Sequence, residues 1–125
     1  MATIGDVMTK DVVTLSSDST VSDAAQVMVQ GGFGSVIVVH GRILLGILTE
    51  RDVLRAAASE EDLRSAPVER WMTPDPDTSG PDLDTEEAAS LMLSRGYRHL
   101  PVVVDGDLVG MASLRDVLSA RIARR

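Results

Sequence analysis

Sliding the chain by 64 residues lays its second half on its first. Met8-Thr9 falls on Met72-Thr73, Ala24-Ala25 on Ala88-Ala89, Met28 on Met92, Gly32 on Gly96, Val38-Val39 on Val102-Val103, and Gly46 on Gly110. The longest identical run is Arg51-Asp52-Val53-Leu54 on Arg115-Asp116-Val117-Leu118. From Ile4 to Ala58 no gap is needed, and 18 of the 55 paired positions are identical. Self-similarity at a fixed period constrains a fold more than any local propensity. One copy of roughly 55 residues buries little surface alone, so two copies are expected to share a core. The repeat divides the chain into a first copy over 1–58, a connector over 59–67 and a second copy over 68–125.

Each copy reads as strand-helix-strand-strand-helix, an α/β (α+β) unit of βαββα order. Val12-Val13-Thr14-Leu15 is short and β-branched, a strand signal. Thr20, with Asp23 three residues on, opens a run of Val21, Ala24, Ala25 and Met28 at helical spacing. Asp84 and Glu87 do the same before Ala88, Ala89 and Met92. Gly31-Gly32 and Gly96 stop these helices. Val36 to Val39 and Pro101 to Val104 are continuous apolar runs, read as buried strands. His40-Gly41-Arg42 and Asp105-Gly106-Asp107 are hairpin turns. Third strands follow at Ile43 to Leu48 and Leu108 to Ala112, and last helices after Thr49 and Ser113. Glu60, Glu61, Asp62 and Arg64 make the connector a solvated one. Sheets packed together about a pseudo-twofold axis would complete the core, and a cleft between copies is a natural ligand site.

Composition narrows the function. Phe33, Trp71 and Tyr97 are the only aromatics among 125 residues, and the formal net charge is -7. Base-stacking surfaces need aromatic faces and phosphate-backbone binders need positive charge, so no nucleic-acid role is expected. The absence of cysteine excludes disulfides and thiolate chemistry. No apolar run approaches the roughly 20 residues of a membrane span, and no signal peptide is visible. A cytoplasmic protein without a membrane role is the expectation.

The strongest local pattern is Gly46-Ile47-Leu48-Thr49-Glu50-Arg51-Asp52, repeated as Gly110-Met111-Ala112-Ser113-Leu114-Arg115-Asp116. Each sets a hydroxyl and a carboxylate three residues apart at a helix start. Two readings are open for Thr49/Asp52 and Ser113/Asp116. They are capping boxes that stabilise the helix N-terminus. They are also suited to a ligand, because a carboxylate can accept from both hydroxyls of a ribose cis-diol and free helix-start amides suit a phosphate.

These two Gly-x-x-[Ser/Thr]-x-x-Asp ends resemble cystathionine-β-synthase-type (CBS) domains. So do the Met-Thr starts at Met8-Thr9 and Met72-Thr73 and the run Arg98-His99-Leu100-Pro101-Val102-Val103. The resemblance spans nearly the whole chain and implies a tandem pair, or Bateman module. It implies a regulatory module that binds an adenosyl ligand such as AMP, ADP, ATP or S-adenosylmethionine, with no other cofactor required. By the family pattern Asp52 and Asp116 hold ribose hydroxyls, one per cleft, with Thr49 and Ser113 beside ribose or phosphate. Adenine lies against Val12 and Val13 for the Asp116 cleft, and against Pro76 and Asp77 for the Asp52 cleft. Arg98 and His99 match phosphate-facing positions, and Lys10 joins them. Family members pair through their helices, so a homodimer is expected, along with an unidentified protein partner.

The copies differ where this matters. Gly34-Ser35-Val36-Ile37 stands opposite Arg98-His99-Leu100-Pro101, and the apolar Val13 opposite Asp77. A carboxylate is a poor wall for adenine and repels phosphate. The favoured cleft therefore combines Ser113, Asp116, Val12, Val13, Arg98 and His99. Plainer roles stand beside these: His99 as a polar strand start, His40 as a surface turn residue, Trp71 packing the connector, and Met28 and Met92 in the core. The acidic stretch through Asp75, Asp77, Asp82, Asp84, Glu86 and Glu87 reads as a solvated face. Arg121, Arg124 and Arg125 complement the last helix dipole. A ligand-free interaction module is the alternative function. An enzyme has little support, with no nucleophile-base-orienter set.

Overall fold

The computed structural model describes residues 2–123, and side chains through residue 120. The side chains of Arg121, Arg124 and Arg125 lie outside the described residues. Six helices and six strands are present among them. Their order is α1 (Ile4–Val7), β1 (Thr14–Ser16), α2 (Val21–Gly31), β2 (Ser35–His40), β3 (Ile43–Thr49), α3 (Glu50–Ala58), α4 (Val68–Trp71), β4 (Thr73–Pro74), α5 (Thr85–Arg95), β5 (His99–Val104), β6 (Asp107–Ser113) and α6 (Leu114–Ala123).

By its contacts the chain forms two compact units, and neither is a sequence repeat. One runs over Val13–Pro76, here the Asp52 unit. The other joins Met1–Val12 to Asp77–Arg125, here the Asp116 unit. The short segment that leads into each repeat is thus built into the unit of the other repeat. Ile4 and Val68 are equivalent under the 64-residue displacement, and both are fully buried. Ile4 packs among Ala88, Met92, Leu100, Val102, Ala112 and Val117 of the Asp116 unit. Val68 packs among Ala24, Met28, Val36, Val38 and Leu48 of the Asp52 unit.

The exchange explains a glycine in each motif. In the Asp116 unit Thr9 bridges Met111, with Thr9 N–H donating to Met111 O at 2.8 Å and Met111 N–H to Thr9 O at 3.0 Å. A Cβ on the neighbouring Gly110 would lie 2.5 Å from Met8 Sδ and 2.9 Å from Thr9 O. In the Asp52 unit β4 pairs antiparallel with β3 through Gly46↔Pro74 and Ile47↔Thr73. A Cβ on Gly46 would lie 2.5 Å from Met72 Sδ and 2.7 Å from Thr73 O. Only a residue without a side chain admits the crossing segment.

Within the Asp52 unit β1 runs parallel to β2 after the crossover through α2, and β2 pairs antiparallel with β3. Val36, Ile37 and Val38 are fully buried, as a continuous apolar run predicts. The Asp116 unit repeats the β5/β6 hairpin with the same register shift, between Val102 and Val103. Its counterpart of β1 is a single parallel bridge, Ser79↔Val102. Asp105 and Gly106 both take positive φ, as a two-residue type I′ turn requires, whereas only Gly41 does so in the first hairpin.

Helix boundaries follow their caps. Thr20 Oγ1 accepts from Asp23 N–H at 3.1 Å, and Asp23 Oδ2 accepts from Thr20 N–H at 2.9 Å. Gly32 and Gly96 end α2 and α5 in the left-handed conformation, their N–H groups bonding Met28 O and Met92 O. Met28 and Met92 are core residues, and His40 is exposed.

Several expectations need correction. The first strand begins at Thr14, not Val12, and the third strands extend through Thr49 and Ser113. Val104 is 42% exposed rather than buried, because it adjoins the turn. Asp84 caps α5 through Glu86 N–H at 2.7 Å, and no returning bond from Glu87 accompanies it. The connector is solvated only in part. Ala66 is fully buried, and Ala66 O and Leu63 O accept from Val21 N–H and Ser22 N–H at the start of α2. Two residues of small or apolar character inside a charged stretch were enough to anchor it. The short helices α1 and α4 carry too few residues for periodicity to reveal them.

Candidate functional site

The exchange of leading segments decides which candidate residues share a unit. Ser113, Asp116, Arg98, His99, Lys10 and Val12 all belong to the Asp116 unit. Val13, Thr49 and Asp52 belong to the Asp52 unit. Residues far apart in sequence are thereby gathered by strand register. His99 pairs with Ser113 across β5/β6. Leu114 N–H, at the start of α6, donates to Arg98 O at 2.8 Å. Lys10 follows Thr9, whose antiparallel bridge to Met111 places it beside the middle of β6, on the Gly110 side of that bridge. Arg98, His99, Ser113 and Leu114 lie at the hairpin end remote from the Asp105-Gly106 turn.

The two motif carboxylates differ in what already occupies them. Asp116 N–H donates to Ser113 Oγ at 3.0 Å, and Asp116 Oδ2 accepts from Ser113 N–H at a long 3.4 Å. Asp116 is half-buried, and its Oδ1 takes no hydrogen bond from the described residues. Asp52 is 5% exposed. Its Oδ2 accepts from Thr49 N–H at 2.8 Å and from the Thr49 hydroxyl at 3.1 Å. Its Oδ1 accepts from the Arg55 guanidinium at 3.1 Å. Asp52 therefore spends both oxygens inside its own helix start, while Asp116 keeps one for a partner. Both motifs cap their helices, so the capping reading holds; at Asp116 it leaves acceptor capacity over.

Charge around the two carboxylates differs too. Lys10 and Arg98 are exposed and form no ion pair with a described residue. Two exposed cations in the same unit as the Asp116 motif favour an anionic group there. At the corresponding place in the Asp52 unit stand Gly34 and Ser35, without charge.

Asp77, proposed as a wall for adenine near Asp52, falls in the Asp116 unit and is engaged there. It accepts from Arg95 at 2.6 Å and from the Tyr97 hydroxyl at 3.1 Å. The Arg95 bond, followed by that from Tyr97, holds its carboxyl below the ordinary value of 3.8. Burial, then the bond to Asp77, pushes the Tyr97 hydroxyl above its ordinary 10.0. Trp71 packs the connector as expected: its indole N–H donates to Glu61 at 3.1 Å. No group of three or more metal-ligating side chains occurs among the described residues. No described helix is long and apolar enough to cross a membrane. The saturation of Asp52 by Arg55 was not read from the sequence, although its signal, an arginine three residues after one motif Asp and a serine after the other, stands in it.

Known proteins agree with this arrangement. The family model for the CBS domain matches twice, over residues 4–59 and 68–123. The chain is 36% identical over 118 residues to the CBS domain-containing protein YhcV of Bacillus subtilis, covering 94% of this chain and 84% of that one. A CBS-domain containing protein from Agrobacterium tumefaciens superimposes with a TM-score of 0.82 at 32% identity, covering 90% of each chain. CBSX2, solved in complex with AMP, superimposes with a TM-score of 0.89 at 27% identity over the whole of both chains. The repeat, the two motif glycines crossed by Met-Thr segments, and these matches make the chain a member of the CBS-domain family, carrying two CBS domains in tandem.

Proposed function

We propose that the chain is a regulatory module that binds an adenosyl nucleotide at the Asp116 motif. The uncommitted oxygen of Asp116 carries this reading. A ribose cis-diol presents two donors, and a half-buried carboxylate with spare acceptor sites is their match. Arg98, His99 and Lys10 supply the phosphate contacts, Ser113 the hydroxyl beside them, and Val12 an aliphatic face for adenine. CBSX2 binds AMP, which supports the ligand class. AMP, ADP, ATP and S-adenosylmethionine all carry the ribose, and they differ in the charge offered to Lys10 and Arg98.

Calorimetric titration with the four ligands tests the reading. At least one binds the wild type, and Asp116→Ala weakens that binding by about tenfold or more, leaving only the weaker Asp52 motif, while Asp52→Ala leaves it within a few-fold. At 100 times the dissociation constant the ligand stabilises the fold by about 2.7 kcal/mol. Absence of binding by all four contradicts the reading. The module senses rather than catalyses, and it works in the cytoplasm.

A second copy of the chain is the proposed partner. Val29 of α2 and Leu54 of α3 are 83% and 70% exposed in the Asp52 unit. Apolar side chains left open on neighbouring helices favour helix-to-helix pairing. Sedimentation equilibrium of wild type against Leu54→Glu tests it, with a dimer expected for the first and a monomer for the second.

A further inference from the structure

The Asp52 unit contains a chain of contacts that has no counterpart among the described residues of the Asp116 unit. Asp52 Oδ1 takes a bond from Arg55 at 3.1 Å. The Arg55 guanidinium also lies 5.6 Å from the centroid of the Trp71 ring. Trp71 donates its indole N–H to Glu61, and Glu61 pairs with Arg70 at 2.7 Å. Arg55 is thus held from two sides, by a carboxylate and by an aromatic face. Under the 64-residue displacement its counterpart is Ser119, and that of Trp71 is Val7. Neither can neutralise Asp116.

We propose that Arg55 determines occupancy of the Asp52 motif: it holds the carboxylate closed to a ribose diol, and a nucleotide enters only by displacing it. This rests on the reading above, that the motif Asp takes the diol. Asp52 has three bonds from its own unit, and the one from Arg55 comes from a long side chain that is 60% exposed. An ion pair and a ring contact this exposed are each worth a few-fold in affinity. Together they weaken binding at Asp52 by about tenfold. The connector takes part, because Glu61 anchors the ring on which Arg55 rests.

The test uses AMP as the probe and Asp116→Ala as the background, so that only Asp52 remains. Arg55→Met keeps an aliphatic stem against Trp71 and removes the charge. In Asp116→Ala/Arg55→Met, AMP binds about tenfold tighter than in Asp116→Ala, and adding Asp52→Asn removes the gain. Equal or weaker binding overturns the proposal, provided circular dichroism shows both variants folded; a misfolded variant is replaced by Arg55→Gln under the same criterion. Trp71 is the only tryptophan, so its emission in Asp116→Ala must also shift as AMP displaces Arg55. An unchanged emission at saturation counts against displacement. The comparison of wild type with Asp116→Ala decides the Asp116 reading separately, so each can fail without the other.

Discussion

Replacing Gly110 by Ala probes the exchange of leading segments where it is tightest. The new Cβ would meet Met8 Sδ at 2.5 Å and Thr9 O at 2.9 Å. The sulfur can swing away, but the carbonyl belongs to a backbone pinned by two bonds to Met111. Relief requires the Met8-Thr9 segment to lift from β6. Losing both bonds costs about 1 kcal/mol each, and residual overpacking adds about 1 kcal/mol or more. The smaller unfolded-state entropy of Ala returns about 0.5–1 kcal/mol. The net loss is about 2 kcal/mol, which at this chain length lowers the melting temperature by roughly 8 °C. Differential scanning calorimetry measures it directly. Gly80, where a Cβ meets nothing within 4 Å, is the control, and Gly80→Ala is expected to melt with the wild type or slightly above it. Adding Met8→Ala to Gly110→Ala recovers only part of the loss, since Thr9 O remains in the way. If Gly110→Ala melts with Gly80→Ala, the crossing segment does not dictate this glycine and the explanation of the motif is wrong.

Thr85→Val is expected to stabilise by about 1 kcal/mol in urea denaturation, because the Thr85 hydroxyl is buried without a hydrogen-bond partner among the described residues and the equivalent residue is the fully buried Val21. Thr20→Ala should cost about 1 kcal/mol by removing the acceptor for Asp23 N–H. Asp77 has a depressed pKa, so its contribution to stability is present above the unfolded value near 3.8 and is lost as pH falls through its lower folded pKa. Carboxyl NMR titration should place that midpoint below 3.8, and Arg95→Ala should raise it; an unshifted midpoint in the wild type refutes the Arg95 contact.

Much of this was legible in the sequence, and the gaps have physical causes. The 64-residue identity and the helical spacing around Met28 and Met92 located the paired βαββα elements, since burial imposes those patterns. The capping residues marked helix starts to within a residue. What the repeat could not convey is membership: Ile4 is read next to β1 in the sequence, yet it is buried among residues contributed by the other repeat. Sequence proximity favours local packing, and the exchange shows only in tertiary contacts such as the approach of Thr9 to Gly110 and of Thr73 to Gly46. The candidate residues Lys10 and Val12 gain by it, because they join Ser113, Asp116, Arg98 and His99 in one unit. The sequence makes the two clefts unequal through Asp77 and the missing Arg-His pair, but Asp77 lies in the Asp116 unit, and the two Asp residues themselves differ in their partners. The bond from Arg55 to Asp52 depends on rotamers that a sequence does not display.

The central claim is that the Asp116 motif is the open nucleotide site. Amide NMR of the wild type titrated in turn with AMP, ADP, ATP and S-adenosylmethionine tests it most directly. The ligand that binds produces saturable shifts at Lys10, His99, Ser113 and Asp116 at concentrations where Thr49 and Asp52 are still unmoved. Shifts that begin at Thr49 and Asp52, or none with any of the four, would contradict it.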